Sequence, residues 1–482
     1  MEKIQVELLD KHRNYLQFYK PDDIYWGIGI EHETYFELSK RLDIDPDIFY
    51  IINAKRERYS VDYYNSYKSD IYRSSIIKLI DKLNPKVPLL LNSFSFTKTD
   101  NNNEPTHTYS KNPIQNSKFN GQTLYDFICE KDSYFKDEYM KSYIFDGDTI
   151  EFISLNFYKK TIQDVIQELD IVKEEFMCRL QKIFKEYNIY TEYGIINFCK
   201  KNHGFVSFMT NINNCSIFNN MTYHLNFTLP TKLTKTCNIE NYLLFTEQHK
   251  NAIHCIQWME PVLISMFGSS DILSSVSPGV SPTSQRCAKS RYIGIGTYDT
   301  SVMEPGKILT ISSSDNHLSK LDYWWFNQYY KDCDYTKENQ IGLDINFHKH
   351  KNHGIELRFF DYFDESKLEE VLRFIVLLLD HSLHKKIKSP VRNKLWNNYV
   401  CSILQDRHAL LDSDLILFYQ HIFDFNTEIK NSSDLYYKIT EVLLKKYKIN
   451  GDCYNKMIRD ENLLQCNKES IQKSFMSSCS IV

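Results

Sequence analysis

Four segments of the chain alternate between apolar and polar side chains, and this alternation limits the possible fold more than any other feature of the sequence. The segments are Tyr25–Phe36, Thr149–Leu155, Met221–Leu229 and Gly354–Phe360. Successive side chains of a β-strand point to opposite faces of a sheet, so each segment has one apolar and one polar face. Such strands predict a sheet that packs one face on helices and keeps the other for polar groups.

The polar faces of the first two strands carry acids. Glu31 and Glu33 share a face about 7 Å apart, and His32 points to the apolar side. On the second strand, Glu151 faces away from its apolar neighbours. Two carboxylates held side by side repel each other unless a cation lies between them. For an isolated pair of this kind, solvated charges on an edge strand are the simpler explanation.

The other two strands add a histidine and an arginine. His224 and Asn226 share one face of the third strand, and Glu356 and Arg358 share one face of the fourth. Carboxylates with an occasional imidazole are ligands that Mg²⁺ and Mn²⁺ accept, and an arginine offers a planar fork for a phosphate or a carboxylate. Together these groups predict a metal- and nucleotide-dependent site for phosphoryl transfer.

Helical periodicity occupies much of the remaining chain. Apolar residues recur at helical spacing from Ile162 to Ile183, and a second helical run covers about Ile239–Phe267. Pro261 predicts a kink or a break in that second run, because proline donates no backbone hydrogen bond. From Ser366 onward the chain is mostly helical. Strands interspersed with long helices predict an α+β fold rather than a parallel, doubly wound sheet.

We expect two regions, a catalytic domain over residues 1–364 and a mainly helical region over residues 365–482. Residues 97–122 are polar and rich in asparagine, which is typical of an insertion or a lid loop. The segment Ser277–Ser301 is rich in glycine and serine, carries Arg286, Lys289 and Arg291, and has no nucleotide-binding glycine motif. It is either a cationic loop that closes on phosphates or an ordinary surface loop.

Composition excludes several classes of protein. The net charge of −4 gives no basic surplus for binding nucleic acid, and the charged N-terminal stretch lacks the apolar core of a signal peptide. The twelve cysteines are scattered without a Cys-x-x-Cys pair, which is typical of a reducing compartment. The terminal "CSIV" only outlines a prenylation box. We therefore expect a soluble, cytoplasmic protein without membrane or nucleic-acid partners, or one of host cytoplasm or virion if its source is viral.

The motifs "GIEHE", "IEFIS", "YHLNFTL" and "GIELRFFD" resemble, in the same order, those of the carboxylate–amine ligase superfamily, which includes glutamate–cysteine ligases, glutamine synthetases and putative amidoligases. These short motifs cover the span from about residue 25 to 363 and leave the helical C-terminal quarter uncovered. The resemblance implies a glutamine synthetase-like antiparallel sheet with helices packed on one face. It also implies ATP and Mg²⁺, or Mn²⁺, at the polar face.

The resemblance assigns roles to individual residues. The implied metal ligands are Glu31, Glu33, Glu151 and Glu356. The resemblance places His224, with Asn226 of the same His-x-Asn pattern, at a metal or at a phosphate of the nucleotide. Arg291 is expected at the nucleotide as part of the cationic segment Ser277–Ser301. The residues implied to act on the substrate or the transferring phosphate are Arg358, Arg286 and Tyr292. Asp146 and Asp148 are placed where the attacking amine or a further metal would lie.

The implied reaction joins a carboxylate and an amine, each from a small molecule or a peptide, through an acyl phosphate made from ATP. Two alternatives stay open from the sequence. The chain could be a guanidino kinase-like phosphotransferase, against which the Glu-x-Glu of the first strand argues, or a structural or virion protein that retains the ligase fold. A metal-dependent hydrolase is disfavoured, because the recognisable histidine-rich ligand spacings are absent. The sequence leaves the substrates and the oligomeric state open.

Overall fold

The computed structural model describes residues 24–38, 91, 124–146, 149–154, 161–189, 194–199, 221–236, 238–270, 281–292, 296–305, 343–349 and 352–450. The predicted lid loop over residues 97–122 and the terminal "CSIV" lie outside the described residues. Within the described part, no helix is both long and apolar enough to cross a membrane.

The described chain folds into strands and helices that confirm an α+β architecture. The strands are β1 (Ile24–Thr34), β2 (Phe36–Leu38), β3 (Tyr143–Asp146), β4 (Thr149–Ile153), β5 (Ile196–Phe198), β6 (Tyr223–Lys232), β7 (Tyr298–Asp299), β8 (Glu304–Pro305), β9 (Ile345–Phe347) and β10 (Ile355–Leu357). The helices are α1 (Leu124–Lys131), α2 (Tyr134–Asp137), α3 (Ile162–Glu186), α4 (Tyr242–Phe267), α5 (Gln285–Tyr292), α6 (Leu368–His384), α7 (Lys394–Gln405), α8 (Ser413–Phe423) and α9 (Ser432–Asn450), with a 3₁₀ turn at Glu365–Lys367.

Six of the strands form one antiparallel sheet in the order β3-β4-β1-β6-β10-β9. All four alternating segments of the sequence contribute to it, as β1, β4, β6 and β10. One face is apolar, because Ile30 of β1 lies opposite Leu225 of β6, which in turn lies opposite Leu357 of β10. All three are buried. The predicted division of each strand into an apolar and a polar face is therefore confirmed.

Helices α3 and α4 pack against this sheet. Helix α3 begins at Thr161, whose hydroxyl accepts a hydrogen bond from the Asp164 amide at 3.1 Å while the Asp164 carboxylate accepts one from the Thr161 amide at 3.0 Å. His32 lies on the apolar face, as its position in the alternation predicts. Its ring stacks on Tyr223 with centroids 4.1 Å apart, and burial holds the pKa of His32 well below its usual value.

Helix α4 runs through Pro261 without the predicted break. Proline has no amide hydrogen, so the carbonyl of Gln257, four residues earlier, loses its helical donor. The indole Nε1 of Trp396 in α7 donates to that carbonyl at 2.9 Å. A hydrogen bond from a distant part of the chain thus replaces the one that the proline removes, and the helix continues.

The helices after residue 365 pack on the rest of the described chain. Helices α6, α7 and α9 all contact α4, and their apolar side chains belong to the same hydrophobic core as those of the sheet. The helical character predicted for this region is observed up to Asn450. The division at residues 364 and 365 stays a prediction.

Candidate functional site

The strand register brings the predicted site residues together on the polar face of the sheet. Glu31 of β1 lies directly opposite His224 of β6, and Glu33 lies opposite Glu151 of β4. Directly opposed residues of an antiparallel pair point to the same face, with Cβ atoms about 5 Å apart. The acids of the two neighbouring strands and the histidine therefore form one continuous polar surface.

A third strand extends this surface on the other side of β6. Glu356 of β10 lies opposite Asn226 of β6 and opposite Asn346 of β9. The Asn346 side-chain amide donates to Glu356 Oε2 at 3.1 Å, and the Asn226 amide donates to Glu31 Oε1 at 3.2 Å. Each of these two carboxylates is thus held in place by an amide from a neighbouring strand.

His224 occupies the centre of the acids. Its Nδ1 lies 3.2 Å from Glu31 Oε2 and 3.8 Å from Glu356 Oε1, and its Nε2 lies 3.6 Å from Glu33 Oε1. The hydroxyl of Thr222 donates to Glu33 Oε2 at 2.7 Å. The imidazole is buried, with 2% of its side chain exposed, so its surroundings are set by these groups rather than by solvent.

Two cations lie against the same acids. Arg358 Nη1 donates to Glu356 Oε1 at 2.6 Å and lies 3.5 Å from His224 Nδ1. Lys349 Nζ donates to the same Glu356 oxygen at 2.9 Å and lies 3.9 Å from Glu31 Oε2. The predicted pairing of Arg358 with Glu356 on one strand face is present, and Lys349 is a site residue that the sequence reasoning did not single out.

The two cations beside Glu356 lower the pKa of its carboxyl group. Burial alone would raise the pKa of this carboxyl, but Arg358 and Lys349 outweigh burial and hold its pKa at about 2. In return, the pKa of Lys349 is raised: burial disfavours its charge, but Glu31 and Glu356 stabilise the ammonium more strongly. Glu356 is consequently an anion at neutral pH.

The donor set fits a hard divalent cation. One ligand atom from each of Glu31, His224 and Glu356 lies within 4.8 Å of the others. Adjacent ligands of an octahedral Mg²⁺, each about 2.1 Å from the ion, are about 3 Å apart, so small side-chain movements would bring the three atoms to that spacing. Two carboxylates and an imidazole are also a chemically suitable set for Mg²⁺ or Mn²⁺. Glu33 and Glu151 lie on the same face as further acids.

Arg286 lies beside this surface rather than in it. Its guanidinium Nε donates to the backbone carbonyl of Arg358 at 3.0 Å, and the residue is buried. Its backbone amide donates to Asp361 Oδ1 at 2.7 Å. Arg286 therefore supports the chain at Arg358, and its contact with the substrate or the phosphate stays a prediction.

Arg291 belongs to a different cluster. Its guanidinium forms ion pairs with Glu260 of α4 and with Asp344, and the side chains of all three residues are 0% exposed. The face of the Trp396 ring lies 5.6 Å from the guanidinium carbon. The guanidinium is enclosed by acids of the protein itself, so we propose no contact with ATP for Arg291.

The described part of the segment that carries both arginines is helical, whereas its composition suggests a loop. Residues Gln285–Tyr292 form the helix α5. The hydroxyl of Ser284 accepts from the Cys287 amide at 3.1 Å and donates to Asp361 Oδ2 at 2.5 Å, which anchors the start of the helix. The side chains of Tyr292, Lys289 and Asp146, and the whole of Asp148, lie outside the described residues.

Comparisons with known proteins give one relative to report. The chain is 39% identical over 480 residues to the "Uncharacterized protein R704" of Acanthamoeba polyphaga mimivirus, an alignment that covers 98% of this chain and 84% of the relative. No family model matches the chain, and no solved structure matches it. On this identity and coverage, the chain belongs to the same family as the mimivirus protein R704.

Proposed function

We propose that this protein is an ATP- and Mg²⁺-dependent carboxylate–amine ligase, an amidoligase with a glutamine synthetase-like sheet. The observation that carries the proposal is the convergence of Glu31, Glu33, Glu151, His224 and Glu356 on one face of the sheet through the strand register. The four acids come from three different strands that are far apart in sequence. Solvated charges without a function would give no reason for acids from three strands to surround one histidine.

Each group has a defined task in the proposed reaction. Glu31, Glu356 and His224 would hold a divalent cation, and Glu33 and Glu151, on the same face of the sheet, would contribute to a second. Bound there, the cation neutralises charge on the phosphates of ATP. Arg358, whose side chain is 19% exposed and which is fixed by Glu356, is available to the transferring phosphate or to a substrate carboxylate.

The chemistry has two steps. An oxygen of the substrate carboxylate attacks the γ-phosphorus of ATP, the bond to the β–γ bridging oxygen breaks, and ADP leaves. The lone pair of the amine then attacks the carbonyl carbon of the acyl phosphate, phosphate leaves with the electrons of the C–O bond, and the amine loses a proton. The products are an amide, ADP and phosphate. Positioning and charge neutralisation supply most of the catalysis in phosphoryl transfer, so no nucleophilic side chain is required.

The test is release of ADP and phosphate from ATP, with and without Mg²⁺, in a screen of pooled amino acids and small peptides with mass detection of products. The proposal predicts Mg²⁺-dependent release that requires one carboxylate and one amine. It also predicts a product lighter than their sum by one water. If the protein binds no nucleotide in the presence of Mg²⁺, the proposal is wrong.

A second candidate is a structural protein that keeps this sheet without catalysis. One observation favours it: Arg358 and Lys349 both bond to Glu356 Oε1, so part of the charge of the acids is already balanced within the chain. Nucleotide binding distinguishes the two candidates, because only the ligase binds ATP in a manner that depends on a divalent cation.

A further inference from the structure

Lys349 lies between two of the proposed metal ligands. It follows β9, and its ammonium nitrogen is 2.9 Å from Glu356 Oε1 and 3.9 Å from Glu31 Oε2. These two oxygens are also the ones nearest to His224 Nδ1, at 3.8 Å and 3.2 Å. The ammonium and a divalent cation would therefore use the same oxygens.

The two cations exclude each other at this position. A metal ion held by Glu31, Glu356 and His224 would lie about 2.1 Å from Glu356 Oε1. The ammonium lies 2.9 Å from the same oxygen, so the two cations would be within about 5 Å of each other. Like charges so close repel strongly, and the oxygen lone pairs of Glu356 Oε1 are already shared between Arg358 and Lys349. A divalent cation that binds Glu356 Oε1 therefore competes with Lys349 for this oxygen.

Lys349 has more freedom to move than Glu356 and His224 have. Its side chain is 29% exposed, while that of Glu356 is 2% exposed and that of His224 is similarly buried. Glu356 and His224 also lie within paired strands, which fix their backbones. A lysine has a flexible stem of four carbons and a strongly hydrated head group, so Lys349 can withdraw into solvent when a metal ion takes its place at the acids.

We propose that Lys349 is a tethered cation that competes with the divalent metal for Glu31 and Glu356 and so weakens metal binding in the absence of nucleotide. This inference rests on the proposed function, because it assumes a metal at these ligands. It adds a control on that site: the acids are neutralised by the chain itself until a metal displaces the lysine. Removal of Lys349 should then leave a site that binds metal more tightly.

The test is a titration of the nucleotide-free, full-length protein with Mn²⁺, followed by electron paramagnetic resonance of the free ion. Lys349→Met keeps the length of the side chain and removes its charge, and we expect it to bind Mn²⁺ about tenfold more tightly or better. Lys349→Arg keeps the charge and should bind Mn²⁺ no more tightly than the original protein. Lys445→Met, which removes a highly exposed helix lysine paired with Glu441, is the matched control and should change nothing.

The outcomes separate this inference from the proposed function. If Lys349→Met and the original protein bind Mn²⁺ with equal affinity, or the variant binds it more weakly, the competition is wrong and the ligase proposal stands. If neither protein binds Mn²⁺, the metal site itself is wrong and both proposals fail. Should the methionine variant not fold, Lys349→Gln answers the same question, and tighter binding by that folded variant is again the expected result.

Discussion

The Nδ1 atom of His224 lies 3.2 Å from Oε2 of Glu31, across the paired strands β6 and β1. This contact joins two motifs that are 193 residues apart in the chain. It follows from the sheet register, since the two residues are directly opposed.

Arg358→Lys should abolish most of the activity although it keeps the positive charge. A lysine cannot reproduce the planar fork that contacts Glu356 and approaches His224, and Lys349 already supplies an ammonium to the same carboxylate. We expect kcat/KM for ATP turnover to fall by about a hundredfold or more with little change in melting temperature. The same change at Arg179, an exposed arginine paired with Asp132 and Glu175, is the control. A fully active Arg358→Lys enzyme would exclude the proposed role.

Arg291→Met should destabilise the fold. Glu260 and Asp344 are both buried against this guanidinium, and burial raises the pKa of Glu260 to about 7 even though Arg291 opposes the shift. Without the arginine, two buried carboxylates face each other unpaired, at a cost of about 3–5 kcal/mol. Urea unfolding measures this loss. Adding Glu260→Gln to the variant should recover part of the stability, and no recovery would contradict the ion-pair assignment.

Gly354→Ala should also lower the stability, because the glycine of "GIELR" has no room for a side chain. A Cβ at this position would lie 2.3 Å from the Phe227 carbonyl oxygen and 2.4 Å from Nε2 of His249. The strand before Glu356 would have to shift away from β6, at a cost of about 1–3 kcal/mol. Thermal unfolding measures the cost, and a melting temperature equal to that of the original protein would show that the contact is looser than described.

We expect His249 to contribute to the pH dependence of the free energy of unfolding. Its Nδ1–H donates to the Phe245 carbonyl at 2.7 Å, and its Nε2 accepts from the Leu229 amide at 3.1 Å, so the buried ring is neutral. Burial lowers the pKa of His249 to about 3, against about 6.5 in the unfolded chain. Between these values the unfolded chain binds a proton that the folded chain does not. The free energy of unfolding therefore falls as the pH falls, by about 1.4 kcal/mol per pH unit from this residue.

His249→Gln removes this titration. Chemical denaturation of the variant between pH 6.5 and pH 4 should show a shallower loss of stability than the original protein. Identical slopes for the two proteins would mean that His249 is protonated in the folded state.

The sequence predicts the faces of the strands but not their neighbours. Alternation alone places Glu31 and Glu33 on one side and His32 on the other, because a strand repeats every two residues. The meeting of Glu31 with His224 depends on the pairing of strands, which local pattern does not contain. Lys349 was missed for the same reason: it follows the short strand Ile345–Phe347 and reaches the site only through the pairing of that strand with β10.

Two differences between the structure and the sequence expectations also arise from long-range contacts. Helix α4 passes through Pro261 because Trp396, 139 residues from Gln257, supplies the missing donor. The glycines and serines around Arg291 favour a cationic loop that closes on phosphates. The acidic partners of Arg291, Glu260 and Asp344, lie on other parts of the chain. Local composition cannot show that a cation is already paired in the core.

The most direct measurement of the central claim is calorimetric titration of ATP into the original protein and into Glu31→Gln, each with and without Mg²⁺. Glutamine is tolerated at Glu31 because the residue is partly exposed and because Asn226 and His224 are its hydrogen-bonding neighbours. The account predicts that ATP binds to the original protein only with Mg²⁺, and that Glu31→Gln, with an unchanged melting temperature, loses that binding. Equal ATP binding by both proteins, or binding that ignores Mg²⁺, would contradict it.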